Sequence, residues 1–247
     1  MVYMRLNITL KSENKNYLVP FNYNHILSSI IYDKISDLDL ASKLHDSNNF
    51  KFFNFSQISV RKRKFVKNGI ISRNGEFSFI ISSPNDYLIR SLVDGYLSDR
   101  KVRFHNDILN VKDIELLPMP SFDEEVSART LSPILVRTKK MVDGDLKVWD
   151  LAPGDVFFNK LNLNLIKKFN SFYNSNSSAD FNVYSEMKNV KRKRITVFKD
   201  GNRIFNRGYM MDLILEGDAD FLKFAYDCGL GEKNSMGFGL IDIDNFI

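Results

Sequence analysis

The chain has 247 residues, of which 44% are hydrophobic and 13% aromatic, so it can form one large domain or two of about 100–150 residues and is not expected to be disordered. Its net charge of +5 is only a weak indication of an anionic partner. Cys228, the single cysteine, excludes an internal disulfide and a cysteine-based zinc site, and the sequence has no run of about 20 apolar residues, so we expect a cytoplasmic protein without a membrane partner.

The first half of the chain predicts a β-α-β-β-α-β succession. Alternating apolar residues over Tyr3–Leu10 predict a half-buried strand with Arg5 and Asn7 on its polar face. A loop follows around Pro20, and apolar residues at helical spacing from Ile26 to Ile35 predict a helix. The remaining predicted elements are a short helix over 38–44, strands over 50–65, 76–82 and 102–117, and a helix that starts at Pro84-Asn85-Asp86.

The same succession is predicted again in the second half. Pro118-Met119-Pro120-Ser121, followed by three acidic residues, indicates a domain boundary that divides the chain into 1–120 and 121–247. The predicted elements are strands over 126–138, 180–198 (two), 209–216 and 236–243, with helices over 156–173 and after Asp218. The sequence therefore predicts an α+β protein of two tandem ferredoxin-like (RRM-like) domains.

Positive charge is concentrated in two segments. Arg61–Arg73 contains six basic residues and no acidic ones, and Glu186–Arg207 contains eight basic and two acidic ones. The two segments carry +12 together, which leaves −7 on the rest of the chain. A dense charge run is often only a solvated face, but such segregation is what a phosphate-binding surface requires. The candidate phosphate contacts are Arg61, Arg63, Lys191, Arg192, Lys193 and Arg194.

Four glycines fall within the eleven residues Gly229–Gly239, between the last predicted helix and the last predicted strand. Glycine tolerates positive φ and lets another backbone approach closely. A dinucleotide-binding fingerprint fits poorly because no helix follows the glycines. The segment predicts either two tight turns with only a structural role or a ligand-binding loop.

With shorter matches earlier in the chain, this segment resembles the archaeal CRISPR-associated endoribonucleases that process repeat-containing precursor RNA. Those proteins carry G-h-G-x5-G-h-G, where h is hydrophobic, between the last helix and last strand of a second ferredoxin-like domain. Here Leu230 and Phe238 are the hydrophobic positions, and Lys233-Asn234-Ser235 lies at the centre. The earlier matches are Val19-Pro20-Phe21-Asn22-Tyr23, Ile30-Ile31-Tyr32, Leu44-His45, Lys51-Phe52-Phe53 and Leu131-Ser132-Pro133-Ile134, so the resemblance covers nearly the full length.

The resemblance implies a sequence-specific enzyme that cuts precursor CRISPR RNA within its repeats and needs no metal or other cofactor. Its partner would be the repeat RNA, as precursor and as product, with subunits of a CRISPR effector complex as further candidates; monomer and homodimer both stay open. It also implies a hairpin of the second domain, containing Lys191–Arg194, that grips RNA. The loop residues implied in RNA binding are Gly229, Gly231, Lys233, Gly237 and Gly239.

The resemblance places catalysis at Tyr32, His45 and Lys51. A ribose 2′-hydroxyl would attack the adjacent phosphate and leave 2′,3′-cyclic phosphate and 5′-hydroxyl ends. Histidine titrates near neutrality and suits proton transfer, whereas lysine can stabilise the charge that develops on the phosphate. Which of His45 and Tyr32 takes the proton and which gives it stays open. His25 is the reserve candidate, and His105 is expected in a surface turn.

Each of the three predicted catalytic residues also has a purely structural interpretation. Tyr32 could simply pack at the end of its helix, His45 could cap a helix, and Lys51 could be a solvated charge. Two other functions also compete. A non-catalytic RNA-binding subunit of a CRISPR effector complex would share every feature except cleavage, and a metal-dependent nuclease could use Asp242 and Asp244, which lie two residues apart on a predicted strand.

Overall fold

Short strands and a few helices alternate along the whole chain. The computed structural model describes residues 5–46, 50–178, 181–199 and 202–243, with side chains at 5–44, 50–178, 181–196 and 204–243. The elements of the first half are β1 (Arg5–Lys11), β2 (Tyr17–Pro20), α1 (Asn24–Asp33), α2 (Leu38–Asp46), β3 (Asn54–Phe55), β4 (Arg63–Val66), β5 (Gly69–Ser72), β6 (Glu76–Ser82), α3 (Asp86–Ser98), β7 (Lys101–Phe104) and β8 (Asp107–Leu116). Those of the second half are β9 (Glu125–Thr130), β10 (Arg137–Val142), β11 (Asp145–Asp150), α4 (Asp155–Tyr173), β12 (Phe181–Tyr184), β13 (Lys191–Lys199), β14 (Asn202–Met210), β15 (Asp212–Gly217), α5 (Ala219–Cys228) and β16 (Ile241–Ile243).

The first half forms an antiparallel sheet with the order β3-β6-β1-β8-β7. Strands β1, β3, β6 and β8 are the four strands of a ferredoxin-like fold, with α1 and α3 in its two crossovers and β7 added at one edge. Leu6, Ile8 and Leu10 on β1 are fully buried in one core with residues of α1 and α3. The predicted β-α-β-β-α-β succession is confirmed.

The second half repeats this topology in a sheet with the order β12-β15-β9-β16, with α4 and α5 in the crossovers. Its core is built from the strands and from the apolar faces of the two helices, including Phe157, Leu161 and Phe224. Two tandem ferredoxin-like folds are therefore confirmed. None of the helices in the described ranges is long and apolar enough to cross a membrane.

Several strands depart from the predicted pattern. The predicted loop around Pro20 contains β2, which pairs with β5 in a small three-stranded sheet. Most of the predicted strand over 50–65 is irregular, with only β3 and the start of β4 within it. The strand predicted over 126–138 ends at Thr130, and a separate hairpin of β10 and β11 begins at Arg137.

Arg5 was expected on a polar strand face, and this prediction is wrong. Its side chain is only 2% exposed because the second half of the chain covers it. The guanidinium donates to the backbone carbonyls of Tyr226 at 2.5 Å and Ile241 at 2.8 Å, and it lies over the Tyr226 ring at 3.1 Å from the centroid. The Asp242 carboxylate lies 3.7 Å away. A buried cation is tolerated when carbonyls and a carboxylate surround it, so Arg5 joins the two halves.

Replacing Arg5 with alanine should lower the free energy of unfolding by about 3 kcal/mol, because two buried carbonyls and a partly buried carboxylate lose their donor. Chemical denaturation monitored by circular dichroism measures the change. Arg129→Ala is the matched control, since Arg129 contacts the same Asp242 carboxylate at 3.3 Å but is 57% exposed. That variant should lose less than about 1 kcal/mol. Equal losses in the two variants would contradict a special role for Arg5.

Candidate functional site

The segment Gly229–Gly239 joins α5 to β16 and lies between the two halves. All four of its glycines have positive φ, between 70° and 80°. At Gly239 a Cβ atom would lie 1.8 Å from the Leu230 carbonyl oxygen, and at Gly237 it would lie 2.4 Å from the Phe55 ring. Packing therefore explains why glycine is needed in these turns. Contact between this loop and RNA stays a prediction.

Asn234 holds the two arms of the glycine segment together. Its side-chain nitrogen donates to the carbonyls of Leu230 at 3.0 Å and Phe238 at 2.9 Å. Its side-chain oxygen accepts a hydrogen bond of 2.7 Å from the ammonium of Lys168, which also donates to the Gly229 carbonyl at 2.9 Å. Asn234 thus uses both ends of its amide within the loop, which fixes the loop from inside.

Lys168 comes from α4 and is only 2% exposed. Burial lowers the pKa of its ammonium, while the thiol of Cys228 and the carboxylate of Glu232 oppose that shift. No ion pair shorter than 4.0 Å neutralises it within the side chains that the structure describes. The amine is therefore held by neutral acceptors, beside a cleft that an anion could enter.

Further contacts attach the loop to its surroundings. Glu232 accepts three hydrogen bonds of 2.6–2.8 Å from the backbone and guanidinium of Arg137, at the start of β10. Lys233 donates to the side chain of Asn206 on β14 at 2.6 Å. From α1, Asn24 and Ser28 donate to backbone carbonyls of the loop at 2.9 and 3.0 Å. The loop is therefore the meeting point of α1, α4 and both hairpins of the second half.

A cleft of about 490 Å³ opens beside this loop, between the two halves of the chain. Its cationic lining residues are Lys51, Arg137, Lys168 and Lys233. Among the described residues, Glu232 is the one acidic residue that lines the cleft, and its pairing with Arg137 neutralises it. A second cavity of about 220 Å³ continues past Arg137 along α4, where Lys160 and Lys167 add further positive charge. Such a surface attracts a polyanion.

The three predicted catalytic residues come from neighbouring segments. Tyr32 lies near the end of α1, where its ring packs edge-on against Phe53 at 5.5 Å and burial raises the pKa of its hydroxyl. The Lys51 ammonium lines the cleft and donates to the carbonyl of Leu44 in α2. His45 follows Leu44 directly, so its backbone lies beside Lys51, but its side chain falls outside the described residues.

The predicted phosphate contacts fall in two places. Arg61 borders a different cavity, over the open face of the first sheet, and Arg63 lies on β4 with its guanidinium 5.6 Å from the Phe65 ring. Neither belongs to the residues that line the cleft. Lys191–Arg194 are exposed on β13, whose partner β14 is tied to the loop through Asn206 and Lys233. The second basic run is therefore connected to the cleft, and the first is not.

The remaining candidates lie elsewhere. The ring of His25 packs edge-on against His105 at 6.3 Å, and burial lowers the pKa of both imidazoles. His105 lies in the predicted surface turn, between β7 and β8. Asp242 is engaged by Arg5 and Arg129, and Asp244 lies outside the described residues. Among the residues that are described, no group of three or more His, Cys, Asp and Glu side chains could hold a metal ion.

Lys168 and Arg137 are functional-site residues that the sequence did not predict. A signal for Lys168 exists, since it continues the buried stripe of α4 formed by Phe157, Leu161 and Leu165. A lysine on a buried stripe needs partners, which indicates a structural or functional role. Arg137 carries no comparable signal because its partner, Glu232, is 95 residues away in the chain.

A protein in which two ferredoxin-like halves meet at a cationic cleft belongs to a class suited to binding a polyanion. The family profile described as CRISPR-associated protein Cas6, N-terminal, matches residues 18–115, and the one described as CRISPR associated protein Cas6, C-terminal, matches 117–243. The chain belongs to the Cas6 family of CRISPR-associated proteins.

Individual relatives match nearly the whole chain. The CRISPR-associated endoribonuclease Cas6 1 of Methanocaldococcus jannaschii is 37% identical over 96% of this chain and 92% of its own length. A solved structure titled CRISPR associated protein Cas6 has a TM-score of 0.85 and 36% identity, covering 98% of this chain and 99% of that one. Another, titled as an RAMP protein binding different RNA substrates, has a TM-score of 0.87 and 30% identity, covering 98% and 100%.

Replacing Asn234 with alanine should lower the free energy of unfolding by about 2–3 kcal/mol, because the buried Lys168 ammonium and two loop carbonyls lose hydrogen-bond partners. Thermal and chemical denaturation measure the change. Asn7→Ala is the matched control, since Asn7 makes one exposed hydrogen bond to Glu115 and should cost within about 0.5 kcal/mol. A loss in Asn234→Ala as small as in the control would show that the loop does not depend on this amide.

Proposed function

We propose that this chain is an endoribonuclease that cleaves precursor CRISPR RNA within its repeats, without a metal ion, by attack of a 2′-hydroxyl on the adjacent phosphate. The cationic cleft carries the proposal, because Lys51 lines it and donates to the carbonyl of Leu44, the residue before His45 near the end of α2. The named endoribonuclease among the relatives supports the activity. The expected setting is the cytoplasm.

Each candidate has a chemical role in this proposal. Lys51 stabilises the charge that develops on the attacked phosphate, which is the largest single contribution in many enzymes. His45 transfers a proton, as acid or base, and Tyr32 is its partner or orients it. Burial raises the Tyr32 pKa, which keeps its hydroxyl protonated near neutral pH and makes it a weaker acid. It therefore suits orienting His45 or the RNA by a hydrogen bond better than taking up a proton itself.

RNA binding is proposed for the cleft, the glycine segment and the hairpin of β13 and β14. On β13 the guanidinium of Arg194 lies 5.0 Å from the exposed Phe205 ring, which gives this hairpin both charge and an aromatic surface. Lys191–Arg194 would contact phosphates and so set the register of the RNA. The cleft would hold the phosphate that is cut.

The purified chain should cut the repeat RNA of the CRISPR array from its own genome once per repeat in EDTA. The products should carry a 2′,3′-cyclic phosphate and a 5′-hydroxyl, since the nucleophile belongs to the RNA itself. Gel analysis with end-specific enzymes identifies these ends. A substrate with a 2′-deoxy ribose at the cut position is the control and should stay intact. Cleavage of that control, or cleavage that stops in EDTA, would contradict the mechanism.

His45→Ala and Lys51→Ala should each slow single-turnover cleavage, His45→Ala by about 10²- to 10⁴-fold, the range for general acid–base catalysis. RNA affinity, measured separately by fluorescence anisotropy, should change far less. Lys43→Ala is the matched control because Lys43 is an exposed lysine on the same helix, α2. Its cleavage rate should match that of the unmodified chain. A normal rate in His45→Ala would remove this histidine from the site.

A second function is a non-catalytic RNA-binding subunit of a CRISPR effector complex. One observation favours it: the solved relative at 30% identity is titled for binding RNA rather than for cutting it. The experiment in EDTA distinguishes the two functions. Tight binding of the repeat without any cut would support the subunit and leave Tyr32, His45 and Lys51 with structural roles.

A further inference from the structure

Apart from Arg137 at its start, the hairpin of β10 and β11 has no role in the function proposed above. Its root is fixed on two sides: Arg137 bonds to Glu232 of the glycine segment, and the Asp150 carboxylate accepts a hydrogen bond of 2.7 Å from the backbone of Arg207 on β14. Beyond this root nearly every residue of both strands is exposed. The β10–β11 hairpin therefore projects away from the cleft and from the β13–β14 hairpin, and both of its faces are uncovered.

The turn of this hairpin favours a defined geometry. Asp143 and Gly144 have φ values of 53° and 81°, the left-handed pair that a type I′ turn requires. Such a turn matches the right-handed twist of the paired strands, which are in register from Arg137 to Asp150. The side chains of each face therefore have fixed neighbours.

One face of the hairpin combines an aromatic ring with two lysines. Trp149, the only tryptophan in the chain, lies opposite Thr138 and is 51% exposed. Lys140 and Lys147 lie directly opposite one another on the same face, next to Trp149. Neither lysine forms an ion pair within the parts of the chain that the structure describes.

Both features of this face are unfavourable in the free protein. Like charges directly opposite one another destabilise a strand pair, and a half-exposed indole keeps apolar surface in water. A bound unpaired nucleotide would remove both unfavourable features. Its base can stack on the exposed indole, and its phosphate can lie between the two lysines. A base inside a duplex has no free face to stack on a side chain.

We propose that the face formed by Trp149, Lys140 and Lys147 binds an unpaired nucleotide of the RNA that flanks the segment held in the cleft. This inference rests on the proposed RNA-binding function and adds a contact to it. The hairpin starts at Arg137, which lines the cleft, so the nucleotide lies close to the cleft. Arg137 belongs to the opposite face, so the RNA strand must pass around the hairpin to reach Trp149.

The other face indicates the competing occupant. Met141, Leu146 and Val148 are more than half exposed there, and a protein subunit could cover them. A protein subunit bound there would cover the apolar residues, but it would not reduce the repulsion between Lys140 and Lys147 on the first face. The face of Trp149 carries Lys140 and Lys147 against one acidic residue, Asp145 beside the turn, so its charge is net positive. Charge therefore favours RNA for this face, and a protein partner becomes an outcome of the test.

Because Trp149 is the only tryptophan, its emission reports on this face alone. The full chain is titrated with repeat RNA that carries a 2′-deoxy ribose at the cut position and a fluorescent label for anisotropy. Tryptophan emission should be quenched along the same binding curve. Trp149→Ala should weaken binding about 5- to 150-fold, and Trp149→Phe, which can still stack, should keep most of the affinity.

Two controls separate this contact from others. Leu146→Ala, on the opposite face of the hairpin, should bind RNA as the unmodified chain does. Lys140→Gln combined with Lys147→Gln should reduce the slope of log affinity against log salt concentration by about 0.7, the value for one phosphate contact on a single strand.

The outcomes are distinguishable. If RNA binds by anisotropy but the emission and the Trp149→Ala affinity are unchanged, the proposed contact is wrong while the proposed function stands, and the hairpin is left for a protein partner. If Leu146→Ala weakens binding as much as Trp149→Ala does, stacking on this face is also overturned. If no RNA binds to the unmodified chain, both the function and this inference fail.

Discussion

The hydrogen bonds of Asn234 hold the site together. One amide group accepts from the buried Lys168 and donates to Leu230 and Phe238, so it closes the glycine segment and joins it to α4. The four glycines allow the tight turns that bring these groups within reach, and the neighbouring atoms leave no space for a side chain. Arg137, Asn206 and α1 then attach to a loop that is already shaped. The positions of Arg137, Lys168 and Lys233 at the cleft therefore depend on this loop.

The charge of the cleft follows from the same arrangement. Lys168 is buried with neutral acceptors, and Glu232, the only carboxylate among the described lining residues, is occupied by Arg137. The cleft consequently keeps excess positive charge in a partly enclosed space between the two halves, where an electrostatic interaction is stronger than in open water. An anion that enters gains more from these cations than it would from lysines on an open surface. This distinguishes the cleft from the exposed run at Arg61–Lys64, which has the same number of cationic residues.

Local patterns in the sequence predicted the succession of strands and helices in both halves, because alternation and helical spacing record which face is buried. Local patterns gave a wrong prediction or none where a charged residue is buried by distant parts of the chain. Arg5 was placed on a polar face and is covered by residues more than 220 positions away, and Lys168 was not noticed on its apolar stripe. The β10–β11 hairpin could have been predicted, since Asp143-Gly144 between two alternating segments is a strong hairpin signal. The roles of Tyr32, His45 and Lys51 remain predictions from the resemblance.

The two hairpins of the second half share a feature that only the strand register reveals. Lys140 lies opposite Lys147 in one hairpin, and Arg194 lies opposite Arg207 in the other. Each pair places like charges side by side, which costs stability in the free protein. The cost is small at moderate salt because the pairs are exposed, and it disappears when a phosphate lies between the cations. A fold under selection for stability alone would favour an acidic partner at one position of each pair. The two hairpins are both attached to the glycine segment, and each carries such a pair. This is the arrangement expected of a surface that binds a polyanion.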